Sequence, residues 1–166
     1  QYCISFHTVY GFEVVALRYF NVFGSRQDPA SEYAAVIPRF ITALMRGEPP
    51  TIYGDGDQTR DFTFVGNIVK ANLHALEHPN APGKIFNIAM GAVNSLNQIV
   101  KTLQELTGVD VAPQYTEPRP GDIRHSLADV SKAAELLQFE PQISVVEGLN
   151  VTIDWYRAQG GAAGTK

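Results

Sequence analysis

Three polar clusters in this sequence combine residue types that bind anions or hydroxyl groups. In the first, Phe20 and Asn21 come at the end of an apolar run that begins at Val14. Such a run predicts a strand buried on both faces of a parallel sheet, and ligands bind in the crevice at the carboxyl ends of such strands. The simpler alternative is a strand end at which Asn21 only forms the turn.

The second cluster is a tight polar turn after Tyr53 that leads into Arg60 and Asp61. An arginine beside such a turn could aim its planar guanidinium at a phosphate, since this group suits bidentate contacts. The alternative is an exposed hairpin with a solvated arginine. The turn is not a Walker loop, because no Gly-Lys-Ser/Thr follows it.

The third cluster is a proline-rich loop in which Pro118 and Pro120 bracket Arg119, with Asp122 shortly after. The prolines restrict the loop and so reduce the entropy that it loses on closing over a ligand. The Asp122 carboxylate could accept hydrogen bonds from a ribose diol. A stiff surface loop without a ligand is the alternative.

Residues for several other chemistries are missing. The sequence has no Gly-x-x-Gly-x-x-Gly after a strand and no Tyr-x-x-x-Lys. Its four histidines lack the spacing of a metal site, so we expect no metal. The single cysteine, Cys3, has no partner for an internal disulfide.

Composition narrows the function classes further. Of the 166 residues, 45% are hydrophobic and 18% are charged, enough to build a core. The net charge of −4 gives no general attraction to nucleic acid or to an anionic membrane, so we expect neither as a partner. No apolar run approaches the roughly 18 residues that span a bilayer, and no signal peptide is visible. We therefore expect a cytoplasmic protein.

Strands and helices alternate along the predicted chain, which indicates an α/β fold. Expected strands cover residues 14–20, 51–53, 61–65, 84–89 and 111–115. Expected helices cover residues 1–10, a segment from about 36 to 46, residues 66–78, and a helix that follows the capping-box spacing of Ser95 and Gln98 and ends at Gly108. A short helix capped by Asp129 should run through Leu137. Ser144 and Glu147 repeat the capping-box spacing before a last helix with Val146, Leu149, Ile153 and Tyr156 on one face. A helix that leads straight into a buried strand implies earlier strands, so we expect the chain to be the later half of a bigger domain.

Taken in order, these motifs resemble one family. They are Arg18-Tyr-Phe-Asn21-Val-Phe-Gly24, Arg26-Gln-Asp-Pro29, Ala35-Val-Ile-Pro38, Gly54-Asp-Gly56 with Arg60-Asp-Phe62, Phe86-Asn87 and Arg119-Pro-Gly-Asp122. Each is weak alone, but their order over residues 1–158 resembles extended short-chain dehydrogenases/reductases that act on nucleotide sugars. The resemblance is greatest to NAD-dependent UDP-sugar 4-epimerases, especially the UDP-N-acetylglucosamine 4-epimerases of bacterial surface-polysaccharide pathways.

The resemblance implies the C-terminal part of a Rossmann-type NAD domain plus the smaller α/β nucleotide-sugar-binding domain. Residues 1–31 and 65–90 would belong to the NAD domain, 32–64 to a substrate-binding segment, 91–159 to the nucleotide-sugar domain and 160–166 to a flexible tail. It also implies NAD as cofactor, a homodimeric parent, and catalytic residues upstream of Gln1. We therefore expect the isolated chain to be inactive and to hold NAD weakly.

The resemblance also assigns roles to individual residues. Tyr19 and Phe20 would line the nicotinamide side of NAD. The substrate positions would be Asn21 at the diphosphate or sugar, Ala35 and Val36 at the nucleotide, Tyr53 against uracil, Arg60 and Arg119 at the diphosphate, and Asp122 at the ribose.

The identity of the sugar depends on Ser126. Glucose-restricted epimerases tend to carry a bulky Tyr at the matching position, so a serine leaves room for a 2-N-acetyl group; alternatively, it is only a small residue before a helix. Three functions stay open: a 4-epimerase of UDP-GlcNAc/UDP-GalNAc or UDP-Glc/UDP-Gal, a UDP-glucuronate epimerase or decarboxylase or nucleotide-sugar dehydratase, and a non-catalytic nucleotide-sugar-binding module.

Overall fold

The computed structural model describes residues 2–30 and 36–162, with the side chains of the last two residues excepted. The helices are α1 (Tyr2–Tyr10), α2 (Val36–Met45), α3 (Val65–Glu77), α4 (Leu96–Thr107), α5 (Ser131–Leu137) and α6 (Val145–Ala162). The strands are β1 (Ala16–Tyr19), β2 (Val22–Phe23), β3 (Thr51–Tyr53), β4 (Thr59–Arg60), β5 (Thr63–Phe64), β6 (Ile85–Ile88), β7 (Asn94–Ser95) and β8 (Gln114–Thr116).

The described strands pair two by two. β1 pairs with β6, β2 with β5 and β3 with β8, all parallel, and β4 pairs with β7 in the antiparallel sense. Parallel pairs need long crossover connections, which the helices between the strands supply. The chain thus has the α/β architecture that the alternation of elements predicts.

Two apolar clusters form the core of the part of the chain that the structure describes. The larger one joins α2, α4 and α6, with Phe40, Leu103 and Leu149 fully buried. The smaller one packs Phe86 of β6 against Ala71 of α3 and α5. The larger cluster also contains Ile52 of β3 and Phe62, two residues after β4, so it packs α2 against the strands that border the candidate site.

Local signals of helix ends are confirmed. Ser95 and Gln98 form a reciprocal capping box at the start of α4, and Gly108 ends that helix at a φ of 74°. Ser144 and Glu147 make the same exchange before α6, since the Ser144 N–H donates to the Glu147 carboxylate (2.8 Å) and the Glu147 N–H donates to Ser144 Oγ (3.2 Å). Each pair satisfies two backbone or side-chain donors that would otherwise lack partners.

Other predictions are corrected by the structure. β1 is not buried on both faces: Arg18 and Tyr19 are exposed, because β6 is its only strand partner within the described residues. β5 is only two residues long, since the chain turns into α3 at Val65. Val146 is 51% exposed, unlike the other three residues predicted on its face.

The remaining differences concern boundaries. The strand predicted over 111–115 lies at Gln114–Thr116, where it pairs with β3, and the short strands β2, β4 and β7 were not predicted. Helix α6 runs on to Ala162, inside the segment predicted as a tail. The domain boundaries proposed from the sequence stay predictions. Among the residues that the structure describes, no helix is long and apolar enough to cross a membrane.

Candidate functional site

Most of the predicted substrate residues meet in one cleft. The cleft has a volume of about 410 Å³, within the range of small-molecule sites. It lies between the start of α2, the end of β3, β4 and the proline-rich loop. The predicted residues that line it are Asn21, Val36, Tyr53, Arg60, Arg119 and Asp122.

Arg60 is held at the cleft by the pairing of its strand and by two hydrogen bonds of its side chain. Its strand, β4, pairs with β7, and its side chain is only 16% exposed. Nη1 donates to the Thr59 carbonyl at 2.8 Å, and Nη2 donates to Asp122 Oδ1 at 2.5 Å. Charge-assisted bonds of this kind are short and directional, so the guanidinium has a fixed position.

Arg119 lies over the ring of Tyr53, with 3.9 Å between Cζ and the ring centroid. The register of β3 and β8 explains the contact, because Tyr53 pairs with Thr116 and the loop carrying Arg119 begins directly after it. A hydrogen bond with Arg119 and the charge of its guanidinium lower the pKa of Tyr53. A cation over an aromatic face is favourable at such a distance.

The loop that carries Arg119 and Asp122 is anchored to β4. The Thr59 N–H donates to the Arg124 carbonyl at 2.9 Å, and the Ser126 N–H donates to the Thr59 carbonyl at 3.1 Å. Because Thr59 precedes Arg60, these bonds place the loop and the Arg60 guanidinium against one another. The ion pair between Arg60 and Asp122 then spans the gap.

Asp61 is a buried residue to which the sequence reasoning assigned no role. Its carboxylate accepts hydrogen bonds from the backbone N–H groups of Met90 (2.9 Å), Gly91 (3.0 Å) and Ala128 (3.4 Å). Burial raises the pKa of Asp61, while these three hydrogen bonds oppose the rise. Asp61 therefore ties the segment next to Arg60 to the chain that leaves the proline-rich loop.

Gln58 is a second residue that the sequence reasoning missed. Its Nε2 donates to the Tyr53 carbonyl at 2.6 Å, and its Oε1 is buried without a hydrogen-bond partner among the described atoms. Gln58 lines the cleft, as do Arg39, Thr51 and Phe62. The position of Gln58 inside the polar turn was a usable signal, whereas Arg39 gave none, since a charged residue on a helix is ordinarily solvated.

The other predicted residues lie apart from the cleft. Ser126 is half-buried beside Thr59 but does not line the cavity. Tyr19 and Phe20 lie at the carboxyl end of β1, where the Tyr19 hydroxyl donates to Asn72 Oδ1 at 3.0 Å. Ala35 lies outside the described residues.

The cleft has the chemistry of an anion site with an aromatic wall. Of the described residues, three arginines and one aspartate line it, so these side chains are net positive although the chain as a whole is acidic. Guanidinium groups bind phosphate oxygens, a tyrosine ring packs against a planar base, and a carboxylate accepts from hydroxyls. Within the described part of the chain, no group of three His, Cys, Asp or Glu side chains could hold a metal ion.

Comparisons with known proteins agree with this chemistry. Residues 1–89 match the sequence profile of the NAD dependent epimerase/dehydratase family. The UDP-N-acetylglucosamine 4-epimerase of Methanobrevibacter ruminantium M1, solved in complex with UDP-N-acetylmuramic acid, superposes with a TM-score of 0.90 at 45% identity. The UDP-glucose 4-epimerase of Thermotoga maritima, solved with UDP-glucose, gives the same TM-score at 42% identity. Both matches cover 95% of this chain and 50% of the other.

Curated relatives give the same result. The UDP-glucose 4-epimerase of Mycolicibacterium smegmatis is 36% identical over 137 residues, which are 82% of this chain and 43% of that protein. Other relatives bear the names of a nucleotide-sugar decarboxylase and a dTDP-glucose 4,6-dehydratase. The chain spans about half the length of the relatives that it matches. The superpositions confirm the Rossmann-type α/β fold class predicted from the sequence.

Proposed function

The chain belongs to the NAD-dependent epimerase/dehydratase family, and we propose that it supplies the UDP-sugar-binding half of an enzyme that inverts C4 of a UDP-sugar. One observation carries the proposal: Arg60, Arg119 and Asp122 face a single cleft that Tyr53 also lines. These groups match, part by part, the diphosphate, ribose and base of UDP. We also propose that the full-length parent enzyme is a homodimer.

Each group in the cleft would hold a different part of UDP. Arg60 and Arg119 would bind the diphosphate oxygens, and Asp122 would accept from the ribose hydroxyls. Tyr53 would pack against the uracil ring. Val36, in the first turn of α2, would offer its backbone N–H near the nucleotide, since the free N–H groups of a helix start suit an anion.

Tyr19 and Phe20 are the residues that would contact NAD. Both lie at the carboxyl end of β1, the edge at which parallel sheets bind dinucleotides, and the Tyr19 ring is largely exposed there. Their aromatic rings would pack against the nicotinamide ring. When bound, NAD supplies the hydride acceptor for oxidation of the sugar's C4 hydroxyl to a 4-keto sugar.

The division of binding energy explains why this half matters for the reaction. To invert C4, the 4-keto sugar must rotate in the site before hydride returns to the opposite face of C4. The sugar must therefore be held loosely while UDP is held firmly, so that binding energy remote from C4 supplies the positioning. The residue that removes the C4 hydroxyl proton would be the tyrosine of a Tyr-x-x-x-Lys pair, in the part of the relatives that this chain does not match.

We propose an N-acetylhexosamine as the sugar, because Ser126 is small and lies next to Thr59, one residue from Arg60. A bulky tyrosine at this position, which glucose-restricted epimerases tend to carry, would leave less room for a 2-N-acetyl group. In the parent enzyme, Ser126→Tyr should abolish turnover of UDP-N-acetylglucosamine and keep turnover of UDP-glucose. A parent enzyme that accepts UDP-glucose but not UDP-N-acetylglucosamine would contradict the assignment.

A second candidate is a nucleotide-sugar decarboxylase or dehydratase, favoured by the relatives of those names. Either enzyme would use the same nucleotide cleft as a 4-epimerase, so the reaction product distinguishes the candidates: carbon dioxide from a decarboxylase, or a 4-keto-6-deoxy sugar from a dehydratase, in place of a 4-epimer. A non-catalytic nucleotide-sugar-binding module is the third candidate. A reading frame that encodes Gly-x-x-Gly-x-x-Gly and Tyr-x-x-x-Lys ahead of this sequence would eliminate it.

Calorimetric titration of the purified chain tests the proposal. We expect UDP-N-acetylglucosamine to bind and N-acetylglucosamine 1-phosphate, which lacks the uridine and one phosphate, to give no measurable heat. Equal binding of the two ligands would contradict a site built for UDP. A lack of binding to either would contradict it as well.

A further inference from the structure

The groups assigned to two different parts of the ligand are bonded to each other. Arg60 is assigned to the diphosphate and Asp122 to the ribose, yet Arg60 Nη2 donates to Asp122 Oδ1 at 2.5 Å. A phosphate that binds Arg60 therefore lies close to the Asp122 carboxylate, which is already hydrogen-bonded to the same guanidinium. Two anions that share one cation repel each other, and the repulsion is stronger where water is partly excluded.

The guanidinium has little freedom to avoid this competition. Its side chain is 16% exposed, and its other terminal nitrogen, Nη1, donates to the Thr59 carbonyl at 2.8 Å. Each terminal nitrogen of the guanidinium thus already donates one hydrogen bond, one to Thr59 and one to Asp122, out of the five N–H groups of an arginine. The Asp122 side chain is 40% exposed, so a ligand can reach it.

A vicinal diol would relieve the repulsion. Two hydroxyl groups that donate to the Asp122 carboxylate disperse its charge and allow it to share Arg60 with a phosphate oxygen. A ligand with phosphate but no diol offers no such compensation. A ligand with only one of the two hydroxyls offers part of it.

We propose, on the basis of the proposed function, that the ion pair between Arg60 and Asp122 is a selectivity element that couples phosphate binding to recognition of the ribose diol. It favours ribonucleoside diphosphates over 2′-deoxynucleotides and over inorganic diphosphate. Asp122 therefore acts in two ways: it attracts the diol, and it repels anions that arrive without one. Specificity of this kind needs the repulsive part as much as the attractive part.

The two parts make opposite predictions for one substitution. Asp122→Asn keeps an oxygen that accepts from Arg60 but removes the negative charge. Binding of UDP should weaken, because the diol loses a charged acceptor. Binding of inorganic diphosphate should tighten, because the competing charge is gone. A purely structural role for Asp122 would change both affinities in the same direction.

The experiment measures the Kd of UDP, 2′-deoxy-UDP and inorganic diphosphate by calorimetry, for the native chain, Asp122→Asn and Asp55→Asn. Asp55 is the matched control, because it forms an ion pair with Arg124 at 2.8 Å and does not line the cleft. The native chain should prefer UDP over 2′-deoxy-UDP by about tenfold or more, as expected for a hydrogen bond to a charged group. Asp122→Asn should reduce this preference to about threefold and bind diphosphate several-fold more tightly. Asp55→Asn should match the native chain.

Thermal melts of both variants establish that they are folded under the titration conditions. The proposal is overturned if Asp122→Asn weakens diphosphate binding or leaves it unchanged, or if the native chain does not distinguish UDP from 2′-deoxy-UDP. A native chain that binds no UDP at all would instead overturn the proposed function.

Discussion

Replacing Asp61 with asparagine should destabilise the chain, although the two side chains have nearly the same shape. Asp61 is fully buried, and its two oxygens accept three backbone hydrogen bonds from two separate segments. Oδ1 accepts from Met90, and Oδ2 accepts from Gly91 and Ala128. Asparagine has a single acceptor oxygen, so its amide N–H₂ must face the donors on one side.

The hydrogen-bond inventory sets the magnitude. At least one buried N–H loses its acceptor, which costs about 1–3 kcal/mol, and it then faces a second donor. Removing the buried charge offsets part of this loss, because a neutral amide has a smaller desolvation penalty than a carboxylate. We expect a net loss of about 2 kcal/mol in the free energy of unfolding at pH 7, which lowers the Tm by about 4–8 °C for a chain of this length.

Urea unfolding followed by circular dichroism measures the loss. The control is Asp129→Asn, because Asp129 is exposed and its Oδ1 accepts from the N–H (3.0 Å) and hydroxyl (2.6 Å) of Ser131, two positions away, and not from a distant segment among the described residues. That variant should lose less than about 1 kcal/mol. If Asp61→Asn is as stable as the control, Asp61 does not tie these segments together.

The pH dependence separates burial from hydrogen bonding at Asp61. Burial raises its pKa in the folded chain, so the folded state binds the proton more tightly than the unfolded state. The stability that Asp61 contributes is complete below its unfolded pKa and declines as the pH rises through the folded pKa. The stability gap between the native chain and Asp61→Asn should therefore narrow from about pH 4 to pH 7. A gap that widens over this range would mean that the backbone hydrogen bonds outweigh burial.

Three further predictions concern the site and its turn. Gly56→Ala should destabilise the chain by about 2–3 kcal/mol in urea unfolding, because Gly56 has a φ of +79° and an added Cβ would lie 2.1 Å from Asn97 Oδ1. The control is Gly108→Ala, which should cost about 1 kcal/mol, since Gly108 has a similar φ of +74° but open space around an added Cβ. Equal losses in the two variants would refute the steric argument. Arg119→Ala should raise the pKa of Tyr53 toward its ordinary value, seen as an upward shift of one tyrosine in an ultraviolet titration, and an unchanged titration would mean that Arg119 does not contact the ring in solution. The 166-residue chain should not interconvert UDP-N-acetylglucosamine and its 4-epimer in the presence of NAD, because it lacks Tyr-x-x-x-Lys; detectable epimerisation would overturn the assignment of catalysis to that pair.

Features encoded by neighbouring residues were predictable from the sequence. The capping boxes before α4 and α6 involve residues three positions apart, so the spacing of Ser95 and Gln98 already contains them. The buried face of α2 follows from the helical spacing of Ile37, Phe40 and Ile41 in the same way. The grouping of the predicted substrate residues in one cleft came from the order of motifs, because no local pattern brings Arg60 and Arg119 together.

Features that depend on distant partners were not predictable. Asp61 follows Arg60 directly and would ordinarily be taken for a solvated residue, but its hydrogen-bond partners are some 30 and 67 positions away along the chain. The exposure of β1 depends on which strands flank it, and a run of apolar residues does not indicate which strands those are. β4 has only two residues, too few for an alternating pattern, and forms because β7 pairs with it.

Calorimetric titration of the chain with UDP, for the native sequence and for Arg119→Ala, tests the central claim most directly. Arg124→Ala is the control, since Arg124 carries the same charge, lies on the same loop and does not line the cleft. We expect weak but measurable UDP binding by the native chain and the control, and none by Arg119→Ala. Two results would contradict the assignment of this cleft to a uridine diphosphate. One is a native chain that fails to bind UDP, and the other is an Arg119→Ala variant that binds UDP as well as the control does.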